Sequence, residues 1–180
     1  MHMSRSLLTT SALVFSCVTL VATTSAAAPN SKRHSAPDRI VLDVVDATVA
    51  FHPLNTPADQ GVGTLGSYDD TIYSDAKLDT KIGLAAGTLE LVQKVPSNGH
   101  LIEVLNELMQ LTDGSIQFGS AFDRTAVLAG AAVTQRAVGT KGRYFGYTGW
   151  NTWTLQPNAG GMGNVVAVEH IVLEKPSSAR

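Results

Sequence analysis

The chain has 180 residues, 13 Lys and Arg against 15 Asp and Glu, a formal net charge of −2 and one cysteine. That length accommodates one domain, the charge excludes a nucleic-acid footprint, and a lone cysteine excludes an internal disulfide.

Arg5 is the only Lys or Arg before Lys32, Leu7 to Ala22 is an almost uninterrupted apolar run, and the small residues Thr24-Ser25-Ala26-Ala27-Ala28 follow. A basic start, an apolar centre and a small-residue exit predict a secretory signal peptide over residues 1–27, cleaved after Ala27. The run sits at the short end of a membrane span, so an uncleaved anchor is the alternative. Either way the protein is expected to be exported, or membrane-associated through its N-terminus. Cys17 lies inside the run, behind Phe15-Ser16 and ahead of more apolar chain, which argues against lipidation. The mature chain then has no cysteine for thiol catalysis. Residues 28–38 read as a flexible, solvated spacer closed by Pro37, and the folded domain is expected over 39–176.

Beyond the spacer the pattern predicts strand after strand and no helix. Ile40 to Phe51 is a β-rich run ended by Pro53. Gly61 to Tyr68, continued by Thr71 to Tyr73, and then Lys81 to Val95 follow, the last closed by the turn signal Pro96-Ser97-Asn98-Gly99. Leu101 to Leu111 carries a leucine stripe that also fits a helix, but hairpin signals at both ends favour a strand. Thr112-Asp113-Gly114-Ser115 is the tightest of those signals. Ile116 to Phe122, Ala126 to Gln135, Arg143 to Leu155 and Asn164 to Glu174 complete about eight strands, spaced as in an all-β sandwich or barrel.

Three patterns bear on chemistry. Gly61-Val62-Gly63-Thr64-Leu65-Gly66 matches the dinucleotide fingerprint in letters, but no helix is predicted after it, so it reads as glycines bending an edge strand. The histidines at 2, 34, 52, 100 and 170 share no metal-ligand spacing, and no Gly-x-Ser-x-Gly elbow is present. Glu103 and Glu107 fall on one face of a strand with Leu105 between them. They face either solvent or the lumen, where burial would raise a carboxyl pKa, and Asp43, Asp46 and Glu90 pose the same choice.

The densest signal is Gly142 to Trp153, with glycine at 142, 146 and 149 among Tyr144, Phe145, Tyr147, Trp150 and Trp153. Bent, aromatic-rich strands suit a small barrel. In a regular strand Trp150 and Trp153 point to opposite faces.

The ordered series Gly61 to Asp75, Lys81 to Gly87, Thr112-Asp113-Gly114 and Gly142 to Trp153 resembles the allene oxide cyclase/dirigent-like barrels. Within them it is most similar to bacterial spirotetronate cyclases, Diels–Alderases acting on tetronate polyketides. The resemblance spans roughly residues 38–175, with Gly142-Arg143-Tyr144 and the Gly149…Trp153 spacing its most specific parts. It implies an all-β, eight-stranded antiparallel β-barrel, open at one end, cofactor-free, usually a homodimer, with a hydrophobic polyketide substrate. It assigns the pocket tryptophan to Trp153. Two departures stand out: the family's pocket tyrosine falls near Val104 or Leu105 here, and a basic residue two before the tryptophan is replaced by Asn151.

The reading that follows is a cofactor-free cyclase of the Diels–Alderase type, in which Trp153, Asn151 and Glu107 carry catalysis and Tyr147, Phe122, Leu105, Met109 and Tyr73 bind substrate. Such a ring closure needs folding of the substrate more than acid or base strength. Near-attack geometry can supply up to about 7–11 kcal/mol, with Asn151 or Glu107 polarising the carbonyl side. Two further readings are a secreted dirigent- or lipocalin-like barrel that binds an apolar ligand without turnover, and an exported barrel of structural role.

Overall fold

Strict in–out alternation builds this molecule. In the segment Leu101–Leu111, Glu103, Leu105, Glu107 and Met109 are buried while Asn106, Leu108 and Gln110 are exposed, the period-two signature of a strand lining a closed interior. The leucine stripe of a helix is therefore broken, because Leu105 faces in and Leu108 faces out.

The computed structural model describes residues 37–156 and 165–176. The predicted signal peptide and most of the spacer lie outside the described residues. Eight strands follow one another around a closed barrel: β1 (Arg39–Asn55), β2 (Leu65–Tyr73), β3 (Lys81–Lys94), β4 (Leu101–Leu111), β5 (Gly114–Asp123), β6 (Val133–Gly142), β7 (Thr148–Leu155) and β8 (Val166–Glu174). Every pair is antiparallel, and β8 returns to β1 with Arg39 opposite Glu174 and Ala47 opposite Val166. Closure removes the sheet edges that would otherwise template association. The eight-stranded antiparallel barrel expected from the sequence is thus what forms.

Three local expectations are corrected. Ala126 to Gln135 is not one strand: Asp123 accepts a hydrogen bond from the Ala126 amide at 2.9 Å and caps a short helix, α1 (Arg124–Leu128), before β6 begins. Arg143 to Leu155 is not one bent strand either. Gly142 (φ 64°) and Gly146 (φ 82°) take left-handed conformations that suit glycine, so the chain reverses between β6 and β7. Tyr144 and Tyr147 tuck inside from that reversal, whereas Phe145 and Trp150 stay 73% and 60% exposed and Trp153 points in. Finally, β1 runs through Pro53 to Asn55, with register shifts against β2 where it passes the proline.

The barrel interior has two apolar regions. A larger cluster, including Ile72, Met109, Ile116, Phe118, Tyr144 and Ile171, fills the end that carries the β4–β5 turn and the β6–β7 reversal. A smaller one, Val127, Val133, Trp153 and Ala167 with Phe122 and Leu155, lies toward α1. No helix among the described residues is long and apolar enough to cross a membrane.

Candidate active site

Between these regions the lumen holds a cavity of about 130 Å³. Its wall is apolar: Leu105 from β4, Phe122 from β5, Trp153 and Leu155 from β7, and Val127 from α1. Phe122 and Trp153 meet edge to face, ring centroids 5.4 Å apart at 87°, a geometry that fixes both rings. Leu128 on the rim is 65% exposed, so the cavity faces solvent past α1, while the packed aromatic end closes the other side.

The floor is polar. Asp46 from β1, Tyr68 and Asp70 from β2, Glu107 from β4, Gln135 from β6 and Glu169 from β8 all line it and all are buried. Each sits at an inward position of its strand, as Glu169 does between Ala167 and Ile171. The Tyr68 hydroxyl donates to Glu107 Oε2 at 2.9 Å, and Asn151 Nδ2 donates to Glu169 Oε2 at 2.9 Å. Ser120 Oγ donates to Gln135 Oε1 at 3.2 Å. Asp46 Oδ1, Asp70 Oδ1, Glu107 Oε1 and Asn151 Oδ1 are buried without a partner.

Burial is the main force on these acids. It lifts the carboxyl of Asp70 to about 6 and that of Glu169 to about 7, and raises Asp46 and Glu107 well above their ordinary values. Mutual repulsion adds to the shift: Glu107, Asp70 and Glu169 each push Asp46 up. Burial and the neighbouring Glu107 carboxylate likewise raise the Tyr68 phenol, which stays a neutral donor. Among the described residues Arg124 is the one cationic side chain lining the cavity, and it is paired with Glu103 at the rim.

A family model described as the allene oxide cyclase barrel-like domain matches residues 46–165. The chain belongs to that family. Among solved structures it is similar to a nonspecific haem-binding cyclase that catalyses a (4 + 2) cycloaddition during neoabyssomicin biosynthesis, with 26% identity and a TM-score of 0.65 over 77% of this chain and 65% of that one. It is similar to the Diels–Alderase AbmU from Streptomyces koyangensis at 26% identity and a TM-score of 0.65, covering 77% of this chain and 64% of the other. AbnU, an exo-specific intermolecular Diels–Alderase, is 25% identical with a TM-score of 0.61, covering 76% and 98%. The chain spans just under two thirds of the length of the first two structures. Pterocarpan synthase dirigent proteins share the barrel at 13–14% identity, a likeness of fold alone.

Within this family barrel, the residues singled out from the sequence divide by height. Trp153, Glu107, Phe122 and Leu105 line the cavity. Asn151 is fully buried and is not a lining residue; it meets the floor through Glu169. Met109, Tyr147 and Tyr73 are corrections. Met109 faces inward but lies one pleat below Glu107, within the packed end. Tyr147 precedes β7, belongs to the same packed end, and its hydroxyl donates to the Pro37 carbonyl at 2.5 Å. Tyr73 closes β2 at that end, away from the cavity.

Tyr68, Asp70, Gln135 and Glu169 were not legible as site residues, and Asp46 was one of several equal choices. The one available signal is a single charged residue at an inward position of an otherwise apolar strand, as in Ala167-Val168-Glu169-His170-Ile171. A phenol does reach the floor, from β2: the Tyr68 hydroxyl that donates to Glu107. Gly61 to Thr64 form a turn rather than a strand-to-helix joint, and β2 follows, so no dinucleotide cradle exists there. Glu90 and Asp43 face outward, Asp43 bonded to His170 at 2.6 Å.

Proposed function

We propose that the protein is a cyclase that folds a flexible, largely apolar substrate inside the barrel and closes a ring by intramolecular (4 + 2) cycloaddition. Its substrate class is a tetronate or related polyketide. One observation carries this reading: a one-ended cavity whose wall is apolar and aromatic and whose floor is polar. The similarity to Diels–Alderases at 25–26% identity supports the reaction class.

The cavity of about 130 Å³ is smaller than the roughly 300–1,000 Å³ usual for drug-sized ligands, so it takes in one reacting end while the rest extends past α1. Trp153, held by Phe122, supplies a flat wall on which an unsaturated segment stacks. Gln135 has its Oε1 taken by Ser120, which leaves its amide N–H groups as the donor for a substrate carbonyl. A donor aimed there lowers the barrier by drawing charge from the dienophile, and confinement contributes the larger, entropic part. Asn151 acts through Glu169 and is a positioning residue in this scheme. The leader-like N-terminus supports a step at or beyond the membrane.

The test is turnover. Purified protein incubated with a linear tetronate polyene should give an isomer of unchanged mass, with saturable kinetics and loss of polyene absorbance. Conversion no faster than in buffer overturns the proposal, and recovery of intact bound polyene would identify a binder instead.

A further inference from the structure

We infer that the floor of the cavity is a binding site for one hard divalent cation of calcium's size, held by Asp46, Glu107 and Glu169. These three residues come from β1, β4 and β8, and each offers one carboxylate oxygen such that the three atoms lie within 4.8 Å of one another. Oxygens bound to one calcium at about 2.3–2.6 Å lie no more than about 4.6–5.2 Å apart, so a set of three within 4.8 Å of one another is compatible with sharing such an ion. Magnesium gives up its water reluctantly and is usually held by one or two carboxylates with several waters, which suits this buried set of three carboxylates less well than calcium.

The second observation is independent of the cluster's charge. Asp46 Oδ1 and Glu107 Oε1 are more than nine-tenths buried in the cavity floor and have no hydrogen-bond partner. Asn151 is fully buried, gives its Nδ2 to Glu169, and keeps an amide carbonyl oxygen unpartnered. Buried polar atoms are nearly always satisfied, so these three oxygens need a proton or a cation, and a cation can meet all three at once. The set contains oxygen only, with no His or Cys, which selects calcium-like over zinc-like ions.

The surroundings also suit a ligand role. The Tyr68 hydroxyl holds Glu107 Oε2 and the Asn151 amide holds Glu169 Oε2, each bond fixing a carboxylate while its other oxygen stays available. Arg124 cannot neutralise the floor, because it is engaged by Glu103 at the rim. The competing arrangement is shared protons among the acids, with no ion.

The experiment uses the purified full chain, freed of metal by chelator dialysis at neutral pH and titrated with calcium by calorimetry. Magnesium and manganese serve as parallel arms, and manganese binding is followed by electron paramagnetic resonance. One calcium per chain is expected, together with a rise in Tm on adding it. Glu107→Gln and Glu169→Gln should each weaken binding at least about tenfold. Asp43→Asn, on the outer face, should leave it unchanged. Absence of saturable binding by the unaltered protein in all three arms overturns the proposal, as does binding untouched by either glutamine variant, or saturation by magnesium but not calcium. Because the unaltered protein alone can decide, misfolding of a variant does not rescue the idea. Binding is read without turnover, so its failure is separate from failure of the cyclase reading.

Discussion

Tyr68 and Glu107 meet across a strand to which neither belongs. Tyr68 on β2 pairs with Gly87 on β3, Gly87 pairs with Glu107 on β4, and the phenol lies over the glycine to donate to the carboxylate at 2.9 Å. A Cβ at position 87 would overlap both the Tyr68 ring and its hydroxyl. Gly87 is therefore required by a close approach rather than by its backbone angles.

Gly87→Ala should expel the Tyr68 ring from its place and leave Glu107 without its donor. Overpacking of this kind costs about 1–3 kcal/mol. The expected readout is a lower denaturation midpoint at unchanged m-value, with a smaller further loss when Tyr68→Phe is added than Tyr68→Phe causes alone. Additive losses would show that position 87 and the phenol do not communicate.

Trp153→Ala removes the cavity wall and the partner of the Phe122 ring. Truncating a buried tryptophan costs about 3–5 kcal/mol, so stability and catalysis must be separated. Trp153→Phe keeps a ring in the wall at a smaller stability loss. In the cyclisation assay the phenylalanine variant should retain part of kcat/KM and the alanine variant should lose nearly all of it, both measured below their Tm. Equal activity of the alanine variant and the unaltered protein removes Trp153 from the substrate wall.

Asp113, in the turn between β4 and β5, accepts from the Tyr144 hydroxyl at 2.7 Å and from Arg143 at 2.8 Å. Burial pushes its carboxyl upward, but those hydrogen bonds outweigh burial and hold it below the usual carboxylate range. A folded-state pKa below the unfolded value of about 3.9 adds stability above that value and loses it as pH falls through the folded pKa. Asp113→Asn should therefore lower Tm at neutral pH, and the gap to the unaltered protein should narrow as pH drops below the unfolded value. Partial exposure keeps the effect under about 1 kcal/mol. A gap that is constant across the acid range would show that the carboxylate's charge contributes nothing.

How the sequence anticipated these features follows from which distances are local. That Glu103, Leu105 and Glu107 share one face could be read from alternation within one strand, though not that this face is the inner one. The opposition of Trp150 and Trp153 could be read in the same way. The acidic floor could not. Asp46, Asp70 and Glu169 are the single inward carboxylates of three separate strands, and only the register of β1 with β2 and β8 brings them to one level. The Gly142–Trp153 segment misled for a related reason: glycines that read as a bend in one strand close a chain reversal, which sends Tyr144 and Tyr147 to the packed end instead of the cavity. Alternation gives the face of a residue; strand tilt and stagger set its height in the barrel, and these depend on all eight strands.

That distinction of face from height is testable on β4 itself. Leu105 and Met109 share its inner face, but Leu105 lines the cavity and Met109 is fully buried in the packed end. Met109→Ala should cost about 2–5 kcal/mol, because the void it leaves is walled by Ile72, Ile116 and their neighbours. At a temperature where the variant is folded, its kcat/KM should stay within about threefold of the unaltered protein, under about 1 kcal/mol in transition-state terms. Leu105→Ala opens into a space that is already empty, so its stability loss should be smaller while KM rises as the substrate's apolar end loses its wall. Had Met109 been a wall residue, as alternation alone suggests, the two variants would lose activity alike, and that result would return Met109 to the substrate site.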